Sequence, residues 1–353
     1  MRGGHRLLLV ADGVSVHTVR LAKGLVDAGM DVHVATFEAS PDLSGTVHML
    51  GAAAPSNDMR YPMAVPKLAR LIRQLRPVAV NAHYLSSYGA MSAIAVRMRS
   101  RRHRPRLVQT VWGSDVLVTP RRSAFHRHAA KAWLRSADLV TGDSQDIRAD
   151  VVRLAPKASW HTFVFGPERS LLEAPRRTEP VVLSARRLER DMRIDLVIEA
   201  FRRLQLDSGS GYRLIVSSSG SMESELKRLA IGVPRVDFVG HLDRPALHEL
   251  LEIAQVAVSV PESDGTSAAL MDALAAGVTP VVNDLPANRE WVDPDVGVIV
   301  SRDPNPQELA DAMATALADP PRTERIRAAV AEHTWEAELA RFTRRIDQLV
   351  EER

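Results

Sequence analysis

The sequence predicts an α/β protein built of two doubly wound domains, each a parallel sheet with helices on both faces. Three observations lead there. The chain has 353 residues, more than a single hydrophobic core usually organises. Short apolar runs alternate with helix-periodic stretches from the start, the pattern of successive βα units. The alternation lapses once, around 163–180, where Gly166, Pro167, Pro175 and Pro180 stand among charges, and then resumes.

Each element follows from local signals. Arg2 and Arg6 precede an apolar run that Asp12-Gly13 interrupts too early for a secretion signal, so 7–11 reads as a first buried strand. A helix over 16–28 is closed by Gly29, a strand follows at 31–36, and a helix at 65–75 stops before Pro77. Strands at 78–82, 107–111 and 139–141 complete a first domain, 1–165, and the break at 166–180 reads as a linker. The second domain, 181–333, carries strands at 181–185, 213–217, 236–239, 256–260 and 279–282, with helices at 194–204, 223–230, 245–253 and 267–276 between them. After Pro304, 307–317, 323–333 and 335–350 read as helices; the terminal one, within 334–353, either covers the second domain or crosses back onto the first. Two such domains would turn the C-terminal ends of their strands toward a shared cleft, where open α/β sheets bind ligands.

Composition narrows the function. A 45% hydrophobic and 25% charged chain is ordinary for a soluble protein, and the absence of cysteine excludes disulfides, thiolate metal sites and a cysteine nucleophile. No apolar stretch approaches the roughly 20 residues that span a bilayer, so a cytoplasmic location is expected. Arg97, Arg99, Arg101, Arg102, Arg104 and Arg106 cluster around His103. A solvated helix end and loop accounts for them; the cluster also suits peripheral contact with the anionic inner face of a membrane, or an anionic acceptor. No aromatics interleave with these arginines, so nucleic acid is not an expected partner. Neither domain has Gly-x-Gly-x-x-Gly after its first strand, and no phosphate-binding Gly-x-x-x-x-Gly-Lys-Ser/Thr or Gly-x-Ser-x-Gly elbow occurs. No metal-ligand cluster is evident, and no cofactor is expected.

The segment 261–280 carries the chemistry. Asp264, Gly265, Thr266 and Ser267 open a helix, Asp272 lies eight residues beyond Asp264, and Gly277 ends the helix before another strand. Unpaired amides near 266–268 and the helix dipole favour an anion there. If most of the interval is helical, eight steps of about 1.5 Å bring the second acid back near the face of the first, about 12 Å along, a spacing that suits a ligand with hydroxyls at both ends and phosphate between. The plainer alternative is that Asp264 caps the helix and Asp272 is a surface acid; the apolar residues around Asp272 argue against that.

On these residues the chain resembles the GT-B fold retaining glycosyltransferases of family 4, whose acid-x7-acid segment, glycine, Pro-Val-Val strand and later Glu match Asp264, Asp272, Gly277, Pro280-Val281-Val282 and Glu290. Both acids are usually Glu in that family and are one methylene shorter here. The resemblance extends to Ser184-Ala185-Arg186-Arg187-Leu188 and to 194–201, and covers almost the whole chain. It implies a nucleotide-diphosphate sugar (UDP-, GDP- or ADP-sugar) as co-substrate, transferred to a sugar, lipid-linked or small-metabolite acceptor without a metal ion. Asp264 would contact the donor sugar and Asp272 the ribose hydroxyls, while the amides of Gly265, Thr266 and Ser267 grip the diphosphate. Arg187 matches the arginine of a basic pair; Met192 or Arg193 stands where its lysine belongs, which makes Arg193 the substitute. Gly13 would let backbone approach the donor phosphate or acceptor. His17, His83, Trp112 and Asp115 stand on loops at the acceptor side, Trp112 in place of a histidine and able to form an apolar wall. His83 reads equally as a polar contact or a structural histidine. A noncatalytic nucleotide-sugar-binding protein and a sugar-nucleotide epimerase of the same architecture are the competing readings.

Overall fold

The computed structural model describes residues 5–51, 59–176, 178–208 and 211–352; Arg2 lies outside them. Packing divides the chain into two units. Unit 1 is Met1–Phe163 with Leu339–Arg353, and unit 2 is Val164–Glu338.

Unit 1 holds strands β1 (Arg6–Val10), β2 (Asp31–Thr36), β3 (Thr46–Met49), β4 (Ala79–His83), β5 (Arg106–Thr110), β6 (Leu139–Gly142) and β7 (Trp160–Thr162). All neighbours pair parallel, in the order β3-β2-β1-β4-β5-β6-β7. Helices α1 (Val16–Asp27), α2 (Arg60–Leu75), α3 (Ala90–Arg97), α4 (Ala124–Leu134) and α5 (Gln145–Leu154) connect them. Strands buried on both faces read as unbroken apolar runs, as Leu7, Leu8, Leu9 and Val10 do at 0% exposure. The helix expected from residue 65 begins at Arg60, with Pro66 inside it. Buried Ala64, Val65, Leu68 and Ile72 supply the packing that offsets the missing amide.

Unit 2 begins with α6 (Arg169–Glu173), inside the stretch read as a linker, because Leu171 is buried in the unit's own core. Strands β8 (Val181–Ala185), β9 (Arg213–Ser217), β10 (Val236–Gly240), β11 (Val256–Ser259), β12 (Thr279–Asn283) and β13 (Val298–Val300) form a second all-parallel sheet in the order β10-β9-β8-β11-β12-β13. Its helices are α7 (Ile194–Ser208), α8 (Glu223–Leu229), α9 (Arg244–Ile253), α10 (Ala268–Ala276), α11 (Pro286–Arg289), α12 (Pro306–Ala318) and α13 (Thr323–Ala328). The last helix, α14 (Trp335–Glu351), begins in unit 2, and its residues from Leu339 onward count with unit 1, where Phe342 packs on Phe163 at 4.7 Å between ring centres.

In both sheets the strand order reverses direction once, between β1 and β4 in unit 1 and between β8 and β11 in unit 2. The crevice beyond the C-terminal ends of such strand pairs is where open α/β sheets place ligands. The arginines around His103 run from the end of α3 (Arg97) to the first residue of β5 (Arg106) and so lie at the N-terminal rim of unit 1's sheet, opposite that crevice.

Candidate functional site

The loops leaving β8 and β11 meet at the crevice of unit 2. The amide of Glu262 donates to the carbonyl of Asp191 at 2.9 Å, joining them. Asn283, fully buried at the end of β12, donates to the carbonyls of Pro261 (2.8 Å) and Arg302 (3.0 Å) and so anchors the start of the second loop. α10 then runs through the core with every residue from Leu270 to Ala276 buried, which explains its lack of a polar face. It ends at Gly277, whose φ of 75° is the left-handed cap glycine accepts without strain.

The helix starts four residues after Asp264, and its cap is Ser267, whose hydroxyl accepts from the amide of Leu270. The half of the interval before Ala268 is therefore turn, not helix, and capping does not account for Asp264. That carboxylate, partly exposed, accepts from the amide of Gly265 through Oδ1 (3.0 Å) and from the Arg186 guanidinium through Oδ2 (2.5 Å). Arg186 also donates to the Ser267 hydroxyl and to the Met192 sulfur. Among the described residues no acceptor takes the amides of Ser267, Ala268 and Ala269, so this helix start offers open donors to an anion.

Asp272 is only 3% exposed. Its two oxygens accept from Arg244 at 3.3 and 3.4 Å, and Arg244 also donates to Glu168 at 2.6 Å. Burial works against the Arg244 charge, but the two carboxylates outweigh it and raise its pKa. Asp272 is thus no surface acid.

The structure distributes the other expected residues unevenly. Gly265, Thr266 and Ser267 are buried in the turn before α10. Arg187 is exposed just past β8. Its charge lies near Glu189, whose carboxyl is held below the ordinary range chiefly by hydrogen bonds from Ser221. Met192 is buried against the Arg186 guanidinium. Arg193 does not join Asp264: its backbone is left-handed (φ 56°), and its guanidinium pairs with Asp303 at 3.1 Å. Glu290 is exposed at the end of α11. Sequence reasoning missed Arg186, Arg244, Glu168 and Trp291, whose indole donates to the Thr266 hydroxyl at 3.1 Å. Only Arg186 had a local signal, its place in an arginine doublet directly after a strand.

In unit 1 the corresponding crevice gathers rings. Trp112 lies 4.8 Å from His17, 5.9 Å from His83 and 5.9 Å from Tyr84 between ring centres. Tyr84 adopts φ 62°, a strained conformation for a residue with a side chain. His83 is buried; its Nε2 meets Asn81 at 3.2 Å, and its Nδ1 has no partner among the described residues. Burial, with the charge of His17 adding to it, pushes the His83 pKa down to about 3, so the ring is neutral. Asp115 is buried and accepts from the amide of Trp112 at 3.0 Å; burial raises its pKa to about 6. Gly13 is explained internally: its amide donates to Thr36 Oγ1 (2.9 Å), and a Cβ would strike the carbonyl of Glu38. Among the described residues, no three His, Asp or Glu side chains gather as metal ligands, and no helix is long and apolar enough to cross a membrane.

Two crevices of this kind, on two all-parallel sheets in one chain, define the GT-B architecture. Residues 6–144 match the glycosyl transferase 4-like family and residues 173–333 the glycosyl transferases group 1 family. The chain belongs to the GT-B glycosyltransferases of the family 4 type. It is 31% identical over 149 residues to a GDP-mannose-dependent alpha-(1-6)-phosphatidylinositol dimannoside mannosyltransferase of Mycobacterium tuberculosis. That alignment covers 42% of this chain and 38% of the relative. Sucrose-phosphate synthase from Thermosynechococcus elongatus superposes with a TM-score of 0.80 at 18% identity, covering 99% of this chain and 100% of the other. Anabaena HepE in complex with UDP and glucose superposes with a TM-score of 0.79 at 16% identity, covering 98% and 100%.

Proposed function

We propose that the protein transfers a sugar from a nucleoside diphosphate donor to an acceptor hydroxyl, retaining the anomeric configuration and using no metal ion. The observation that carries this reading is the seat at the start of α10, where open amides and Arg186 concentrate positive charge between Asp264 and Asp272. A diphosphate matches that charge, with Asp264 at the donor sugar and Asp272 toward the ribose. Gly265, Thr266 and Ser267 line the seat, Glu290 is a further donor contact, and Arg187, exposed just past β8, meets the leaving phosphates.

In the reaction the bond from sugar C1 to the phosphate oxygen breaks and the acceptor oxygen bonds C1 on the same face. The acceptor proton passes to the departing phosphate, so no sugar is carried covalently by the protein. The work of the chain is electrostatic stabilisation of the leaving diphosphate. On the acceptor side, Trp112 offers a flat wall, with His17, neutral His83 and Asp115 around it. The similarity to a GDP-mannose-dependent enzyme makes GDP-mannose the first donor to test, and a lipid-linked sugar the first acceptor; UDP- and ADP-sugars follow. Cytoplasmic action with peripheral membrane contact is consistent with such an acceptor.

The test is product formation from a panel of sugar nucleotides and acceptors, with and without chelator. A product of retained configuration in chelator is expected, and Arg187→Ala should lower turnover by about 100-fold with the far-UV spectrum unchanged. Inverted product refutes retention, and loss in chelator restored by manganese refutes the metal-free mechanism. Binding without product favours a noncatalytic role, while donor conversion without acceptor favours an epimerase.

A further inference from the structure

We infer that the layer formed by α2, α3 and α4 in unit 1 is a docking surface for an anionic lipid bilayer. The inference concerns unit 1 alone and does not depend on the donor seat of unit 2. Between residues 59 and 137 the chain carries sixteen lysines and arginines against one acid, a net charge of +15, whereas the rest of the chain nets −12 to give the overall +3. The one acid, Asp115, is buried at 5% exposure, so it does nothing to offset the basic surface of this stretch. Acids from outside meet it at its borders: Glu38 lies 4.0 Å from Arg60, Asp138 3.3 Å from Arg106 and Asp150 3.4 Å from Arg121.

The topology gathers these charges on one face. Right-handed connections carry the chain from β1 to β2 in one direction and from β3 to β4, β4 to β5 and β5 to β6 in the other, so α2, α3 and α4 lie together on the face opposite α1. Their inner sides share a core: Leu68 and Ile72 of α2 pack with Met91 and Val96 of α3, and Trp133 of α4 packs against that cluster. Their outer sides are not the polar faces of ordinary surface helices. On α2, exposed Met63 stands one turn before Lys67 and two before Arg70. On α3, exposed Ile94 and Met98 flank Arg97. At the start of α4, Phe125 is 77% exposed, three residues after exposed Arg122. The arginines around His103 form the end of this layer at the N-terminal rim of the sheet.

The mixture selects the partner. Charge alone would suit any polyanion, but Met63, Ile94, Met98 and Phe125 gain nothing against a hydrated polymer. In the interfacial region of a bilayer these side chains leave water while the cations meet lipid phosphates. Binding at such a surface scales with the apolar area buried plus the attraction to anionic lipid, and this face supplies both. α2 and α4 begin at the C-terminal end of the sheet, so a bilayer on this layer borders the unit 1 crevice proposed for the acceptor.

The experiment is flotation of the full chain with vesicles of phosphatidylcholine, alone or mixed with phosphatidylglycerol, at low and high salt. The wild type is compared with K67E/R70E/R73E, M98S/F125S and K227E/R228E/R322E, each checked for folding by circular dichroism. The wild type should float with the anionic vesicles, far less with phosphatidylcholine alone, and less as salt rises. K67E/R70E/R73E should lose about tenfold or more in partitioning. M98S/F125S should lose about threefold or more while keeping wild-type retention on a heparin column. K227E/R228E/R322E reverses the same number of exposed charges in unit 2 and should stay within about twofold of the wild type. An equal loss in that control, or wild-type partitioning in either of the other two variants, overturns the inference. A wild type that does not float with anionic vesicles overturns it outright: retention on heparin then makes the partner an acidic polymer, and a dimer at low salt in ultracentrifugation makes it a second copy of the chain.

Discussion

Asp115 and His83 make opposite demands on pH within unit 1, and the wild-type chain should hide both. His83 titrates near 3 in the folded chain against an ordinary 6.5, so below 6.5 the unfolded state takes up a proton that the native ring refuses. Its contribution is lost as pH falls from about 6.5 to about 3, and is worth about 5 kcal/mol over that window at about 1.4 kcal/mol per pH unit. Asp115 titrates near 6 against an ordinary 3.8, so the native state holds a proton that the unfolded state has released. Stability is lost here as pH rises from about 4 to about 6, by about 3 kcal/mol. Between about pH 4 and 6 the two slopes have equal size and opposite sign, and the wild type should be nearly flat. Asp115→Asn keeps an acceptor for the Trp112 amide but removes the carboxyl, and should expose a rise of about 1.4 kcal/mol per pH unit across that range. His83→Gln should expose the matching fall. Hydrogen-exchange mass spectrometry on peptides covering β4 and β5, corrected for the intrinsic pH dependence of exchange, reads both slopes locally. A flat profile in Asp115→Asn would refute the account of His83 as a ring kept neutral by burial.

Three further outcomes follow from contacts in unit 2. Arg244→Ala leaves Asp272 buried without its counter-charge and should cost about 3 kcal/mol, most of it recovered by adding Asp272→Asn; denaturant titration of both variants checks this. Trp291→Phe removes one hydrogen bond to Thr266 and should cost about 1 kcal/mol, with a comparable weakening of nucleoside diphosphate binding in calorimetry. Gly220→Ala places a methyl group against the backbone of Leu188, two residues from Arg186, and should cost about 1–3 kcal/mol in thermal melts while also weakening diphosphate binding.

The fold was legible wherever burial alone decides an element. The strands of both sheet centres are buried on both faces, so they stand out as apolar runs, and 31–36, 181–185 and 213–217 match β2, β8 and β9 to the residue. Among the edge strands β10 was read at 236–239, but β3 and β7 were not legible: both are short and half-buried, and Thr46–Met49 has no apolar run to betray it. α6 was hidden because a five-residue helix among prolines has no periodicity of its own and is held by Leu171 in a core that other segments build.

The acids of the candidate site were legible and their partners were not, for one physical reason. Asp264 and Asp272 belong to a single local pattern, strand, turn, helix and glycine, which the backbone enforces over a dozen residues. Arg186 and Arg244 reach them from 78 and 28 residues away, through contacts that exist only once β8, β11 and α9 are assembled. Each acid thus has its own arginine, and the two pairs differ in kind. Arg244 is shared between Asp272 and Glu168, so its charge is answered twice and it has little left to offer a ligand. Arg186 is answered by one carboxylate beside a helix start that adds positive charge, so the surplus lies at the Asp264 end. If the proposed donor binds here, that imbalance would draw its anionic part toward Asp264, and this asymmetry, rather than the matching pair of aspartates, would give the seat a direction.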